Sequence, residues 1–142
     1  MTIRQASLAD LEEILKVETD NFTAEDFGLS RSSLRYHLKT NIVFIIEDEK
    51  GIIGYCLWLT RKNFYRLYSL AILQKFHSKG YGKMLLEYSL EHLKDKELRL
   101  EVKQTNKQAV SLYEKFGFKI IKTLKSYYPN NIDGYLMKRA IF

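Results

Sequence analysis

The stretch Arg66–Lys83, RLYSLAILQKFHSKGYGK, decides how the rest of the chain is read. Leu67 to Leu73 is a nearly unbroken apolar run and reads as a buried strand. A short basic loop follows and ends in Gly80-Tyr81-Gly82-Lys83, after which a helical pattern begins at once. A strand that passes through a basic glycine loop into a helix builds an anion site. The N–H groups of the first helical turn have no partner within the helix, and they lie at the positive end of its dipole. Glycine carries no Cβ to hold a ligand away from the backbone. Arg66, Lys75, Lys79 and Lys83 supply positive charge, and no acid lies in the stretch. The expected ligand is a pyrophosphate. The two glycines serve a tight strand-to-helix turn equally well, and neither the Walker pattern nor the dinucleotide fingerprint is present.

Outward from this stretch, the pattern alternates between strands and helices. Thr2–Gln5 is a short strand. Ser7, with Asp10 three residues on, caps a helix marked by Leu8, Leu11, Ile14 and Leu15 and ending near Asp20. A loop over 21–29 is anchored by Phe22 and Phe27, and Ser30 caps a second helix that Asn41 breaks. Residues 42–47 and 52–60 form an antiparallel hairpin about the turn 48–51, and a third strand runs over 64–73. Leu86, Leu90 and Leu93 mark a helix to about Lys94. Leu98, Leu100 and Val102 alternate with Arg99, Glu101 and Lys103, which is a period-two strand. Ala109, Leu112, Tyr113 and Phe116 mark the next helix, which Gly117 stops. A strand over 118–125, a loop over 127–131 and a last strand over 134–139 complete the chain. The expectation is one α/β (α+β) domain over residues 1–142, with a mixed sheet.

Composition narrows the function. The 142 residues are 46% hydrophobic and 28% charged, as in an ordinary globular protein. No apolar run reaches the ~20 residues of a membrane span, and the first residues show no signal-peptide core, so a cytoplasmic protein is expected. Cys56 is the single cysteine, set in an apolar run, and reads as a buried thiol rather than a nucleophile. The three histidines show no ligand spacing, and no metal is expected. Residues 51–142 carry 17 basic and 7 acidic residues, against 6 and 10 in residues 1–50. That asymmetry suits an anionic ligand on the C-terminal part. The lysines are scattered singly, which argues against nucleic acid as the partner.

Taken singly, the chemical candidates have structural readings. Glu101 is either a carboxylate paired with Arg99 or Lys103 or a general base at a cleft. Tyr113 sits on the apolar side of its helix, Asn106 is a helix cap, and Tyr127 and Tyr128 pack a loop.

Taken together they resemble the GNAT family of N-acetyltransferases, and within it the bacterial ribosomal-protein alanine N-acetyltransferase branch. The resemblance rests on Leu70-Ala71-Ile72, on His77-Ser78-Lys79-Gly80-Tyr81-Gly82, on Leu100-Glu101-Val102, on Asn106 and on Leu112-Tyr113-Glu114-Lys115-Phe116-Gly117-Phe118. Tyr127-Tyr128-Pro129 and the run from Asp133 to Met137 extend it. It is strong from Leu67 to Met137 and looser before residue 60. The resemblance implies a sheet of about seven mostly antiparallel strands with about four helices and a V-shaped split between two central strands. It implies acetyl-CoA as acetyl donor, paired along the backbone of Leu70, Ala71 and Ile72. Its pyrophosphate would meet N–H groups from His77 to Lys83 (His77, Ser78, Lys79, Gly80, Tyr81, Gly82 and Lys83), and Asn106 would touch the cofactor. It implies Glu101 as general base, Tyr113 as general acid toward the CoA thiolate, and Tyr127 and Tyr128 along the acceptor groove. The acceptor implied is a protein or peptide N-terminal α-amine, attacked directly, in a monomer or homodimer. A small-molecule amine, an amino sugar or a lysine side chain is the alternative acceptor, and a non-catalytic acyl-CoA-binding regulatory module is the alternative of another class.

Two departures from the family pattern stand out. His77 occupies the place of a Gln or Arg and lacks arginine's permanent charge. Residues 27–33, FGLSRSS, do not match the branch's Pro-Trp-Ser entry to the second helix.

Overall fold

A computed structural model describes residues 1–21 and 28–141. The elements are β1 (Thr2–Gln5), α1 (Leu11–Asn21), α2 (Arg31–Thr40), β2 (Ile42–Asp48), β3 (Gly51–Thr60), β4 (Phe64–Ile72), α3 (Tyr81–His92), β5 (Glu97–Lys103), α4 (Lys107–Lys115), β6 (Lys119–Tyr128) and β7 (Ile132–Arg139). The order is the one the sequence pattern predicts. The strands form one seven-stranded sheet in the order β1-β2-β3-β4-β5-β7-β6. The β1–β2, β2–β3, β5–β7 and β6–β7 pairs are antiparallel, and β4–β5 is parallel over Phe64–Arg66 and Glu97–Arg99. None of the described helices is long and apolar enough to cross a membrane.

Contacts divide the chain into two compact units. The first holds Met1–Thr60 and Tyr68–His92. Its core joins Ile14 and Val17 of α1, Leu34 of α2, Ile45 of β2, and Tyr55 and Leu57 of β3, with Ala71 of β4. The entry to α1 is tied by charge. The Arg4 guanidinium reaches both Asp10 carboxylate oxygens at 2.9 Å and Glu47 at 3.0 Å, while Asp10 also accepts the Ser7 N–H at 2.9 Å. Ser30 caps α2 by accepting the Ser33 N–H at 3.1 Å, and the Asn41 N–H donates to the His37 carbonyl at 2.8 Å where the helix ends. Cys56 is buried beside Ser89, and burial pushes its thiol up to about 11, which keeps it protonated and inert.

The second unit holds Arg61–Leu67 and Leu93–Phe142. The period-two pattern of β5 is realised: Leu98, Leu100 and Val102 are buried, and Arg99 and Glu101 turn to the other face. Phe118, Val110 and Met137 add to this core. Gly117, at φ +91°, closes α4 in the left-handed conformation that glycine adopts without strain.

Three expectations are corrected. β4 is not a buried strand. Only Tyr65 and Ala71 are buried on it, and Leu70 and Ile72 are half-buried because they line an open pocket. Tyr127 and Tyr128 belong to the end of β6 rather than to a loop. Ser126 takes φ +48° at an irregularity in the β6–β7 register, and Tyr128 pairs with Ile132 beyond it. A short 3₁₀ turn, Gln74–Phe76, also stands between β4 and the glycine loop. The anchoring role expected of Phe22 and Phe27 lies outside the described residues.

Candidate active site

In the first unit, the end of β4 and the glycine loop meet. Leu70, Ala71 and Ile72 line a pocket of about 290 Å³ together with His77, Ser78, Gly80, Tyr81 and Gly82, so most of the predicted anion-loop residues converge. Asn21 and Phe76 line it as well, and no motif in the sequence marks either. The Asn21 amide donates to the Ile72 carbonyl at 2.8 Å, and the same carbonyl meets His77 Nε2 at 2.6 Å. A carbonyl only accepts, so that imidazole nitrogen carries the hydrogen. The His77 N–H donates to the Gln74 carbonyl at 3.1 Å. The backbone N–H and the Nε2–H of His77 therefore both hold the loop itself, and the N–H groups left for an anion begin at Ser78.

Backbone conformation explains the glycines unequally. Gly80 has φ +85°, and a Cβ built there meets nothing within 4 Å, so its role is conformational and its surroundings are open. Gly82 lies in the first turn of α3, where an added Cβ would sit at ordinary contact with Leu70 Cδ2, 3.7 Å away. The Met84 N–H donates to the Gly80 carbonyl at 3.0 Å, so the helical bonding starts at Gly80. The first-turn N–H groups before Met84 have no acceptor within the helix. Lys79 and Lys83 stand outside the pocket lining: Lys79 Nζ lies 5.8 Å from the Phe76 ring centre, and Lys83 lies 4.0 Å from Glu87. An open cavity, N–H donors at a helix start and a Cβ-free approach suit a phosphate group.

In the second unit, Glu101 is paired, but not with Arg99 or Lys103. Arg66 of β4 grips it. Arg66 Nε donates to Oε1 at 2.7 Å and to Oε2 at 3.1 Å, and a terminal guanidinium nitrogen also donates to Oε1. Arg99 bonds Glu97 instead. The β4–β5 register sets Arg66 beside Arg99, so Glu101 is the diagonal neighbour, which a long arginine reaches. The Tyr127 hydroxyl donates to Glu101 Oε1 at 3.2 Å, and the Tyr127 and Tyr128 rings meet edge to face at 5.0 Å. The Glu101 side chain is 12% exposed. In the sequence Arg66 is one of four cations near the glycine loop, and no local signal ties it to Glu101.

Residues 8–118 match the acetyltransferase (GNAT) family. The chain belongs to the GNAT family. It is 35% identical over 155 aligned residues to the N-alpha-acetyltransferase of Sulfolobus acidocaldarius, covering 95% of this chain and 89% of that protein. It is 30% identical over 137 residues to the [Ribosomal protein bS18]-alanine N-acetyltransferase of Haemophilus influenzae, covering 93% and 90%. The crystal structure of the ribosomal-protein-S18-alanine N-acetyltransferase from Escherichia coli has a TM-score of 0.86 over 99% of this chain and 93% of that one, at 23% identity, a likeness of fold. The resemblance read from the motifs thus holds, and this GNAT protein is an N-acetyltransferase.

Asn106 stands just before α4 and Tyr113 lies on it. Asn106 accepts the Ala109 N–H at 3.2 Å and so caps the helix, as its position alone suggested. It also lines a second cavity, of about 480 Å³, with Ala109 and Leu112. The Tyr113 ring packs edge to face on Phe118 at 5.8 Å, and burial holds its hydroxyl above the ordinary tyrosine range. Such a hydroxyl keeps its proton at neutral pH. The hydroxyl of Tyr127 is likewise raised, by partial burial first and by the Glu101 charge beside it second.

Proposed function

We propose that this enzyme moves the acetyl group of acetyl-CoA to the N-terminal α-amine of a protein or peptide. The observation that carries the reading is the pocket uniting Leu70–Ile72 with residues 76–78 and 80–82, in a chain 35% identical over nearly its whole length to a protein named N-alpha-acetyltransferase. Acetyl-CoA supplies the thioester. The backbone of Leu70 and Ala71 pairs with its pantetheine arm, and the N–H groups of Ser78, Lys79, Gly80, Tyr81, Gly82 and Lys83 receive its pyrophosphate. Ile72 contributes its N–H, since its carbonyl is engaged by Asn21 and His77. Asn106 borders the donor from the start of α4. Tyr127 and Tyr128 flank the acceptor.

Glu101 acts as the base. It takes, through a water, the proton that the acceptor nitrogen sheds as its bond to the acetyl carbon forms. Tyr113 is the acid. It gives its proton to the sulfur as the carbon–sulfur bond breaks. The attack is direct, which suits a chain whose one thiol is buried and protonated. The test is acetyl transfer from acetyl-CoA to an unblocked peptide carrying a lysine, with the modified nitrogen located by tandem mass spectrometry. Acetyl on the α-nitrogen is expected. Acetyl on neither nitrogen refutes the reading.

A further inference from the structure

The carboxylate read as the base does not stand as an open negative charge. Glu101 Oε1 already accepts from Arg66 and Tyr127, and Oε2 accepts from Arg66 Nε. Its exposure is 12%, so little water competes with these bonds. The groups around it add more positive charge than negative. Arg99 and Lys103 share its face of β5. Arg99 is bonded to Glu97 and lies 3.8 Å over the Phe64 ring, and Lys103 Nζ lies 5.6 Å from the Tyr128 ring. Tyr127 and Tyr128 come from β6, and Leu136, opposite on β7, brings no charge. Over the whole unit, residues 61–67 and 93–142, 14 basic residues stand against 5 acidic ones. Such a field disfavours the approach of a cation.

We propose that Arg66 is a positioning residue that sets acceptor specificity: by matching the charge of Glu101 it makes the site take amines that arrive neutral, and so selects an N-terminal α-amine over a lysine ε-amine. The inference rests on the acyl-transfer reading above and names what enforces its acceptor class. A carboxylate with no partner attracts an ammonium ion and lets a charged lysine enter and be deprotonated in place. A carboxylate already bonded to a guanidinium does so weakly. The acceptor must then arrive with its lone pair free. At pH 7 the neutral fraction of an α-amine, with a reference value near 7.7–8.0, exceeds that of a lysine, near 10.4, by roughly two- to four-hundredfold. The neutral nitrogen forms its bond to the acetyl carbon while the carbon–sulfur bond breaks. Only then does the nitrogen carry a surplus proton, which passes through water to Glu101, while the sulfur takes its proton from Tyr113. Arg66 touches none of the reacting atoms.

The test compares kcat/KM for two peptides of one sequence. One has a free N-terminus and no lysine; the other has a blocked N-terminus and one lysine. Wild type, Arg66→Gln and Arg66→Lys are each assayed with acetyl-CoA, and acetyl-CoA binding by calorimetry verifies that each variant is folded. In Arg66→Gln the α-to-ε ratio falls about tenfold or more. In Arg66→Lys, which keeps the charge match, it stays within about threefold of wild type. An Arg66→Gln ratio within threefold of wild type overturns the proposal, because a merely structural arginine would slow both acceptors alike. So does a ratio that falls as far in Arg66→Lys. Wild type that acetylates neither peptide removes the acceptor reading and this inference together, whereas an active wild type with an unmoved ratio removes only the role of Arg66.

Discussion

Gly80→Ala separates two consequences of one methyl group. Gly80 sits at φ +85°, where an L-residue costs roughly 1–2 kcal/mol. The added Cβ itself meets nothing within 4 Å, so no packing cost joins the conformational one. For a chain of this size that is a fall in melting temperature of roughly 3–8 °C. The open space around Gly80 is where the reading puts the donor's pyrophosphate. A Cβ there holds a phosphate away from at least one N–H. A hydrogen bond to a charged group is worth roughly 1.5–3 kcal/mol, so the Kd for acetyl-CoA rises roughly ten- to hundredfold. Titration calorimetry with acetyl-CoA, run well below the melting transition, measures this apart from stability. Gly117→Ala is the comparison: its φ of +91° carries the same backbone cost at the end of α4, away from the glycine loop in sequence. It loses similar stability and keeps its acetyl-CoA affinity within about twofold. If Gly80→Ala also keeps wild-type affinity, the pyrophosphate does not rest against this loop and the assignment of residues 78–83 falls.

Two other perturbations follow from the same structure. Tyr113→Phe keeps the edge-to-face packing on Phe118 and removes only the hydroxyl. It lowers kcat by about a hundredfold or more, the usual worth of a general acid, with acetyl-CoA affinity unchanged; steady-state kinetics beside calorimetry checks both. Asp10→Asn removes the carboxylate that the Arg4 guanidinium holds below the usual range. A carboxylate so held stabilises the fold above its unfolded value of about 3.9 and loses that contribution as pH falls through its lower folded value. The variant keeps an oxygen for the Ser7 N–H but loses the charge facing Arg4, so it is less stable at pH 7 by roughly 0.5–1 kcal/mol, and its stability falls less than the wild type's below about pH 4. Denaturant melts across pH read both effects.

Where one local pattern dominated, the sequence was legible. The alternation in Leu98–Val102 predicted which face of β5 is buried, Ser30 and Asn41 bounded α2, and Gly117 ended α4, each through a backbone hydrogen bond or a conformation that nearest neighbours decide. The glycine loop was legible for the same reason, and the pocket gathers it with Leu70–Ile72. What misled was apolar character without depth. The run Leu67–Leu73 looks like a core strand, yet Leu70 and Ile72 line an opening, and a side chain that borders a ligand pocket is as apolar as one in a core. Tyr127 and Tyr128 beside Pro129 looked like loop residues, since the pairing that holds β6 past Ser126 comes from β7. Least legible was the Arg66–Glu101 pair. It joins residues 35 apart through a diagonal across a parallel register, and nothing near either residue announces it.

Transfer of acetyl to an N-terminal α-amine is the proposal on which the role of Arg66 depends. Its most direct measurement is the position of the acetyl group on a peptide that offers both a free N-terminus and a lysine, after incubation with acetyl-CoA near pH 7. Acetyl is expected on the α-nitrogen, with the lysine modified at least a hundredfold more slowly, on the order set by the two neutral fractions. Acetyl on the lysine at a comparable rate, or on neither nitrogen, contradicts it.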